Sequence, residues 1–355
     1  MNDLIQKKHF HTFDALRFLA FMLVFLHHIP IPENSFLAYF SHSGGIGVQI
    51  FFILSGFLIT YILLVEKNNQ TFKFKNFITR RILRIWPLYY AMILFAFCTP
   101  TILNFLNLSS SDEGYSPNWL YPLLFLENYE MMFKHSFANV SPLRVMWSLC
   151  IEEHFYIIWG LTFLFISNKK ILVFLISTLF IAIISRLIYA HYNIGTLDIL
   201  TNVDYFAFGG ILAYLLIFKS DVINLLNKLS TRLKWLISIL ILAIYVTLPF
   251  LKFNQNIIEP LIVCSITTLL IAFTLSTKNE LRINDKNIFS QLGKYTYGMY
   301  LFHTIIINLF LRIGLKLEIN LYIIILLSLL TTIVISFLSF YLFEKQFLKF
   351  KKYFK

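Results

Sequence analysis

The first apolar run of the chain, residues 13–30, reads FDALRFLAFMLVFLHHIP. It approaches the length of a membrane-spanning helix, yet it carries Arg17 near one end and His27 and His28 at the other. Ionisable side chains are costly inside a membrane, so they indicate a functional site with a nearby partner. Eleven positions separate Arg17 from His28, which at about 100° per residue puts both on one helix face, about 16 Å apart. This spacing suits a long ligand that is held by charge at one end and reacts at the other.

Composition indicates a membrane protein along the whole chain. Of its 355 residues, 58% are hydrophobic and 14% are charged, whereas a typical soluble domain is roughly a quarter charged. Mostly apolar runs of about 20 residues give about ten candidate spans. They are predicted at residues 13–30, 46–65, 88–106, 147–166, 171–190, 203–218, 235–251, 259–276, 294–313 and 320–342. The sequence therefore predicts an all-α, polytopic integral membrane protein.

Positive charge is divided unevenly between the two sides of the predicted spans. The net charge of +12 would suit a nucleic-acid partner, but 23 of the 30 Lys and Arg residues fall on one side. This is the positive-inside bias, so we expect these residues to contact membrane lipids, with no nucleic-acid partner and both termini cytoplasmic. The predicted organisation is a transmembrane domain at residues 1–342 and a basic cytoplasmic tail at 343–355. A long extracytoplasmic loop, residues 107–146, is predicted to cover the substrate side.

The histidine pair has two interpretations. Burial favours the neutral imidazole, whose unprotonated nitrogen can take a proton from a substrate hydroxyl, so His28 is a candidate general base. The alternative is an interfacial pair hydrogen-bonded to backbone near Pro30. A zinc site is not expected here, because adjacent helical residues diverge by about 100° and no further ligands lie at the usual spacing. We predict no metal.

Three arginines, Arg80, Arg81 and Arg84, stand in RRILRIWPLYY. Arg81 and Arg84 are three residues apart and share one side of a helix. Guanidinium groups bind phosphates in bidentate fashion, so these two, helped by Arg17, are candidates for an anion site on the cytoplasmic face. The alternative is ordinary positive charge before a span, within a segment (66–87) that could form an interfacial helix.

Acidic residues enter the apolar stretch MWSLCIEEHFYIIWG, residues 146–160. Glu152 and Tyr156 are i,i+4 neighbours on one helix face, and Glu152 could orient a catalytic histidine. It could equally neutralise Arg17 or Arg186, or hold helices together. Further candidates within the predicted spans are Ser148, Asp204 and His303.

Taken together, these blocks resemble the acyltransferase-3 family of bacterial membrane O-acyltransferases, from about residue 13 to residue 344. The matching blocks are the arginine and histidine of the first span, FFILSGFLIT, RRILRIWPLYY, WSLCIEEHFY, Asp204 with Gly209, LGKYTYGMYLFH and FYLFEK. The resemblance implies about ten spans in a bacterial cytoplasmic membrane. It also implies that acetyl-CoA or another acyl-CoA enters from the cytoplasm and that the acyl group passes to a hydroxyl of an extracytoplasmic glycan.

The resulting hypothesis assigns Arg81, Arg84 and Arg17 to the phosphates of acyl-CoA and His28 to the acceptor hydroxyl, with Glu152 orienting the imidazole. A covalent acyl-histidine relay is the main mechanistic variant. The acceptor is a cell-surface or lipid-linked glycan, and no permanently bound cofactor is expected. The alternative function is a transporter of a glycan or lipid-linked sugar, since transporters also carry intramembrane Arg, Glu and His. Transporters commonly show internal inverted repeats, however, and none is evident in this sequence.

Overall fold

Almost every apolar run forms a helix in the computed structural model, which describes residues 9–105, 113–251, 253–276, 278 and 280–354. The α-helices within these residues, named α1 to α16 in chain order, are Thr12–His27, Ala38–Ser41, Gly44–Asn68, Phe74–Phe105, Leu120–Leu123, Glu127–Lys134, Leu143–Phe165, Ile171–His191, Ile199–Phe218, Ser220–Asn224, Thr231–Thr247, Ile258–Phe273, Ile288–Gly293, Thr296–Leu317, Leu321–Ser339 and Lys345–Leu348. The extended backbone within the same residues amounts to one isolated bridge between Tyr115 and Ala138. The all-α prediction is confirmed for the described chain.

Seven helical segments among the described residues are long and apolar enough to cross a membrane. They are Gly44–Asn68, Phe74–Phe105, Asn168–His191, Ile199–Phe218, Thr231–Phe250, Thr296–Leu317 and Leu321–Tyr353. The other three predicted spans correspond to α1 and α12, each of 16 residues, and to α7, whose acidic pair lowers its hydropathy. The chain is therefore a multi-pass membrane protein. The count of ten and the cytoplasmic placement of both termini stay predictions, and residues 1–8 lie outside the described chain.

One predicted element differs from the structure. The basic segment before the third span is no separate interfacial helix, because α4 runs without a break from Phe74 to Phe105 and includes Pro87. The arginines therefore belong to the same rigid element as the span. At the other end of the chain, helical turns continue after α15 as far as Tyr353. The division into a transmembrane domain at residues 1–342 and a basic tail at 343–355 stays a prediction.

Tertiary contacts divide the chain into two compact units. Unit one holds the described residues of Met1–Phe74, Ile158–Ile188 and Leu200–Lys294, and unit two holds Lys75–Ile157, Tyr189–Ile199 and those of Tyr295–Lys355. In unit one, α1 packs on α3 and α13, and in unit two, α14 packs on α15. Each of the two units thus contains a helix bundle of its own.

Close helix packing in unit one depends on glycines of α3. A Cβ on Gly47 would meet the backbone of Ala20 in α1, and one on Gly56 would meet the backbone of Phe206 in α9. Gly47 and Gly56 therefore let α3 approach its neighbours closely, as small residues do between helices in membranes. Gly45 is an exception, because a Cβ there would have nothing within 4 Å.

Candidate functional site

Arg17 lies in the second turn of α1 and has an acidic partner on the same helix. Its Nη1 donates a hydrogen bond to Oδ1 of Asp14 at 2.7 Å, with side chains that are 19% and 25% exposed, respectively. Asp14 stands in the first helical turn, where the helix dipole favours a negative charge. Gly293 of α13 approaches the backbone of Asp14 so closely that a Cβ would clash with it. The guanidinium is thus held near the start of α1 and is only partly buried.

The two histidines at the end of α1 diverge as predicted. His28, half-buried, places Nδ1 at 2.9 Å from the carbonyl oxygen of Val24, one turn earlier in the same helix. His27 places Nδ1 at 2.8 Å from the carbonyl oxygen of Ser41 at the end of α2. A carbonyl only accepts, so Nδ1 of His28 carries the proton, and a neutral ring has its lone pair on Nε2. This is the tautomer in which Nε2 can act as a base.

A polar face on α7 contains three of the predicted residues at intervals of four. Ser148, Glu152 and Tyr156 follow one another on the continuous helix Leu143–Phe165. At one end of this face, the buried Tyr300 hydroxyl of α14 lies 2.7 Å from Ser148 Oγ and donates to the carbonyl oxygen of Val145 at 2.9 Å. The predicted i,i+4 relationship is confirmed. Tyr300 of α14 adds a further hydroxyl at the Ser148 end of this polar face.

The arginine block of α4 meets the other end of that face. The Arg81 guanidinium lies 5.9 Å from the ring centre of Tyr156 and 5.7 Å from that of Phe77, within the range of cation–π attraction. Arg80 donates from Nη1 to the carbonyl oxygen of Phe354 at 2.8 Å, which brings the basic C-terminal segment to this helix. Arg84, three residues after Arg81, is exposed. Two predicted blocks, RRILR and EExxY, therefore lie together in unit two.

Glu153 and Trp86 form a contact that sequence reasoning missed. Trp86 Nε1 donates to Glu153 Oε2 at 3.1 Å, and Glu153 is only 6% exposed. Its second oxygen, Oε1, is buried and has no hydrogen-bond partner among the described residues. Spacing favoured Glu152 because of Tyr156, whereas Trp86 is 67 residues away in sequence and no local pattern links it to Glu153.

Asp204 belongs to a fully satisfied ion pair in unit one. Arg186 donates from Nη1 and Nη2 to Asp204 Oδ1 and Oδ2 at 3.0 and 2.6 Å, and both side chains are under 5% exposed. Arg186 also donates to the carbonyl oxygens of Thr201 and Asn256, each at 2.7 Å. This geometry indicates a structural role for Asp204. Asp204 is also the carboxylate partner of Arg186.

His303 of α14 is fully buried in unit two. Its Nδ1 lies 2.7 Å from the carbonyl oxygen of Tyr300, so this nitrogen carries a proton. The contact holds the ring one turn from the Tyr300 hydroxyl that reaches Ser148. His303 is therefore placed to fix the α14 end of the polar face.

The predicted extracytoplasmic loop contains a cavity of about 380 Å³ in unit two. Its lining combines two aromatic rings with polar and charged groups, from Ser116, Pro117, Asn118, Tyr121, Glu130, Phe133 and Lys134. Glu130 accepts the backbone N–H of Asn118 at 3.1 Å, and burial raises the pKa of this carboxyl above its ordinary value. Residues 107–112 of the predicted loop lie outside the described chain. Such a lining is suited to a sugar ring with polar substituents.

The predicted residues fall in both units. Arg17, His28 and Asp204 belong to unit one, and the α4, α7 and α14 residues belong to unit two. The orientation of His28 by Glu152, and a phosphate site shared by Arg17 with Arg81 and Arg84, stay predictions.

Comparison with curated proteins finds O-acetyltransferases. The chain is 36% identical over 177 residues to the peptidoglycan O-acetyltransferase OatA of Listeria monocytogenes, covering 47% of this chain and 26% of that protein. It is 36% identical over 154 residues to the putative peptidoglycan O-acetyltransferase YrhL of Bacillus subtilis, covering 41% of this chain and 22% of that one. A putative O-acetyltransferase of Staphylococcus aureus is 29% identical over 166 residues, or 44% of this chain and 25% of the relative. The matches thus span about a quarter of the length of these relatives.

No solved structure matches this chain significantly. The model of a family described as "Acyltransferase domain" matches residues 10–341, which include α1, the arginine block and the polar face of α7. The chain belongs to the acyltransferase-3 family.

Proposed function

We propose that this chain is a membrane O-acyltransferase of the bacterial cytoplasmic membrane. It moves an acyl group, most simply acetyl, from cytoplasmic acyl-CoA to a hydroxyl of a cell-surface or lipid-linked glycan. The family match over residues 10–341 carries the proposal, and relatives named as peptidoglycan O-acetyltransferases support a glycan acceptor. The transporter alternative has no comparable support.

His28 is the proposed general base. The acceptor oxygen attacks the thioester carbonyl while its proton passes to His28 Nε2, and the carbon–sulfur bond then breaks to release the CoA thiolate. The imidazolium returns the proton to the sulfur, so the products are an ester and free CoA thiol. The hydrogen bond from Nδ1 to the Val24 carbonyl supports this role, because it fixes the tautomer that a base at Nε2 requires.

Acyl-CoA is the proposed donor, held through its phosphates by Arg81 and Arg84. The rigid helix α4 and the cation–π contacts of Arg81 with Phe77 and Tyr156 orient the guanidinium beside the α7 face. The contact of Arg80 with the Phe354 carbonyl adds the positive charge of the C-terminal segment. A planar guanidinium can bind a phosphate through two parallel hydrogen bonds.

The acceptor is proposed to meet the cavity lined by Tyr121 and Phe133. Aromatic rings present a flat apolar face to a sugar, and Asn118 and Lys134 offer a hydrogen bond and a positive charge. The orientation expected from the positive-inside bias puts this loop outside the cytoplasm, where the glycan acceptor lies.

The decisive experiment uses full-length protein in nanodiscs, radiolabelled acetyl-CoA and a soluble peptidoglycan fragment. We expect release of CoA thiol together with label in the glycan. His28→Ala should lower turnover by about 10²–10⁴-fold, the usual contribution of a general base.

His27→Ala is the matched control, because the neighbouring histidine also bonds a backbone carbonyl but lies outside the proposed mechanism. It should keep most of the activity. Full acylation by His28→Ala protein would refute the base assignment. Glycan movement in proteoliposomes without thiol release would favour the transporter.

Donor binding tests the arginines separately from turnover. Replacing Arg81 and Arg84 together by alanine should weaken acetyl-CoA binding by about 10²–10⁴-fold, because each charge-assisted contact contributes about 1.5–3 kcal/mol. The exposed Arg312→Ala serves as the control and should bind normally. Equilibrium dialysis with labelled acetyl-CoA measures the dissociation constant, and unchanged binding by the double variant would remove the phosphate role.

A further inference from the structure

Three side chains of types that bind metal ions meet in unit one, and none of them is assigned to acyl transfer. His9 and His11 stand directly before α1, and Asp285 stands before α13. His11 Nδ1 lies 2.6 Å from Asp285 Oδ2 and 3.1 Å from His9 Nδ1, and His9 Nδ1 lies 3.9 Å from the same carboxylate oxygen. One ligand atom from each residue falls within 4.8 Å of the other two.

A single proton on His11 Nδ1 does not serve both of its contacts, with Asp285 and with His9. A ring nitrogen has a single in-plane position, occupied either by a hydrogen or by a lone pair. If Nδ1 of His11 donates to Asp285, its one hydrogen serves the carboxylate, and the contact with Nδ1 of the largely exposed His9 at 3.1 Å has no hydrogen of its own. If it holds a lone pair, it faces the lone pairs of a carboxylate at 2.6 Å. A cation among the three atoms would interact with all of them, whereas one proton satisfies a single contact.

The Thr12 hydroxyl holds the two segments together without help from these three side chains. The buried Thr12 donates from Oγ1 to the carbonyl oxygen of Leu281 at 3.2 Å and accepts from the backbone N–H of Ile283 at 3.1 Å. Thr12 follows His11 directly, and Ile283 is two residues before Asp285. The ligands are therefore preorganised on both sides.

We infer that His9, His11 and Asp285 form a binding site for a divalent transition-metal ion, with Zn²⁺ as the best fit. Two imidazole nitrogens and a carboxylate oxygen suit zinc, whereas Mg²⁺ and Ca²⁺ prefer oxygen ligands. Tetrahedral bonds of about 2.0–2.1 Å place ligand atoms roughly 3.3 Å apart, and the observed separations of 2.6, 3.1 and 3.9 Å lie on both sides of this value. Three protein ligands leave a position for water.

Binding at this site would join the segment before α1 to the segment before α13. An ion that binds only the folded state stabilises unit one, and it takes no part in acyl transfer. Sequence spacing did not predict it, because His11 and Asp285 are 274 residues apart and only the tertiary structure brings them together.

The test uses full-length protein with an affinity tag that binds no metal, treated with EDTA and then dialysed against zinc. We expect one tightly held zinc per chain by elemental analysis and a rise in melting temperature with Zn²⁺ but not with Mg²⁺. The triple variant His9→Ala, His11→Ala and Asp285→Asn should lose that zinc, with at least a hundredfold weaker binding by calorimetry.

Two further variants separate binding from folding. His11→Asn keeps a hydrogen-bond donor toward Asp285, so it should have the wild-type melting temperature without metal and still lose the zinc. His42→Ala removes another histidine of unit one, which pairs with Glu33, and should keep the ion. One tightly held zinc in the triple variant, or none in the wild-type protein, would overturn the inference.

Discussion

The two units contain buried carboxylates in contrasting surroundings. In unit one, both oxygens of Asp204 accept from Arg186, which also binds two backbone carbonyls. In unit two, Glu153 accepts one hydrogen bond from Trp86, and its other oxygen has no partner among the described residues. Burial is nearly the same, since the two residues are 1% and 6% exposed.

The difference separates structural from chemical roles. A buried pair in which both carboxylate oxygens are already hydrogen-bonded holds helices in place and has little left for a substrate. A buried carboxylate with one unused oxygen costs stability, and such groups call for an explanation in function. The contrast therefore suggests that Asp204 supports the fold and that Glu153 takes part in the site on α7.

Breaking the ion pair of Arg186 with Asp204 should have the largest effect on stability. Arg186→Met leaves Asp204 buried and without its partner, so we expect about 3–5 kcal/mol of destabilisation, seen as low yield and a large fall in melting temperature in detergent. Arg312→Met changes an exposed arginine and should be neutral. A double variant, Arg186→Met with Asp204→Leu, should recover much of the loss because no unpaired charge remains. A stable single variant would contradict the structural assignment.

Neutralising Glu153 should lower activity and leave stability almost unchanged. Glu153→Gln keeps an oxygen that can accept from Trp86 and removes a buried charge. The free energy of unfolding should therefore stay within about 1 kcal/mol of the wild-type value. Turnover should fall about a hundredfold if the charge takes part in the chemistry. Asp204→Asn is the matched comparison and should lose stability instead. Equal loss of stability in both variants would mean that Glu153 is also structural.

Local periodicity predicted the parts of this site that lie on a single helix. The shared face of Glu152 and Tyr156, and the different directions of His27 and His28, follow from 3.6 residues per turn. These features are confirmed by α7 and by the contacts of the two histidines. The continuity of α4 through Pro87 was not predicted, because local rules place a helix boundary at proline.

Sequence patterns did not predict which side chains on different helices contact each other. Arg186 and Asp204 are separated by a turn between α8 and α9, and Trp86 and Glu153 lie on α4 and α7. Glu152 was therefore the only acid singled out in EExxY, although its neighbour makes the visible contact with α4. One contact between blocks, that of Arg81 with Tyr156, appeared only when the helices were packed.

The smallest expected effect comes from a third buried carboxyl, Glu127 at the start of α6. Burial raises the pKa of Glu127 from its ordinary value of 4.5 to about 7, although the Tyr115 hydroxyl donates to its Oε1 at 2.7 Å and opposes the shift. Because the folded state binds this proton more tightly than the unfolded state, the stabilisation is complete below about pH 4.5 and is lost as the pH rises through 7. Glu127→Gln should remove this dependence.

The corresponding measurement compares melting temperatures at pH 5 and pH 8. The free energy of unfolding of the wild-type protein should fall by about 2 kcal/mol more than that of the Glu127→Gln variant over this range. One pKa unit corresponds to about 1.4 kcal/mol, and the interval from pH 5 to pH 8 covers only part of the shift. The exposed Glu318→Gln is the control and should follow the wild type. If the Glu127→Gln variant also follows the wild type, the carboxyl is already ionised in the folded loop at pH 5. Glu127 would then be an ionised carboxylate whose buried Oε2, like Oε1 of Glu153, has no hydrogen-bond partner among the described residues.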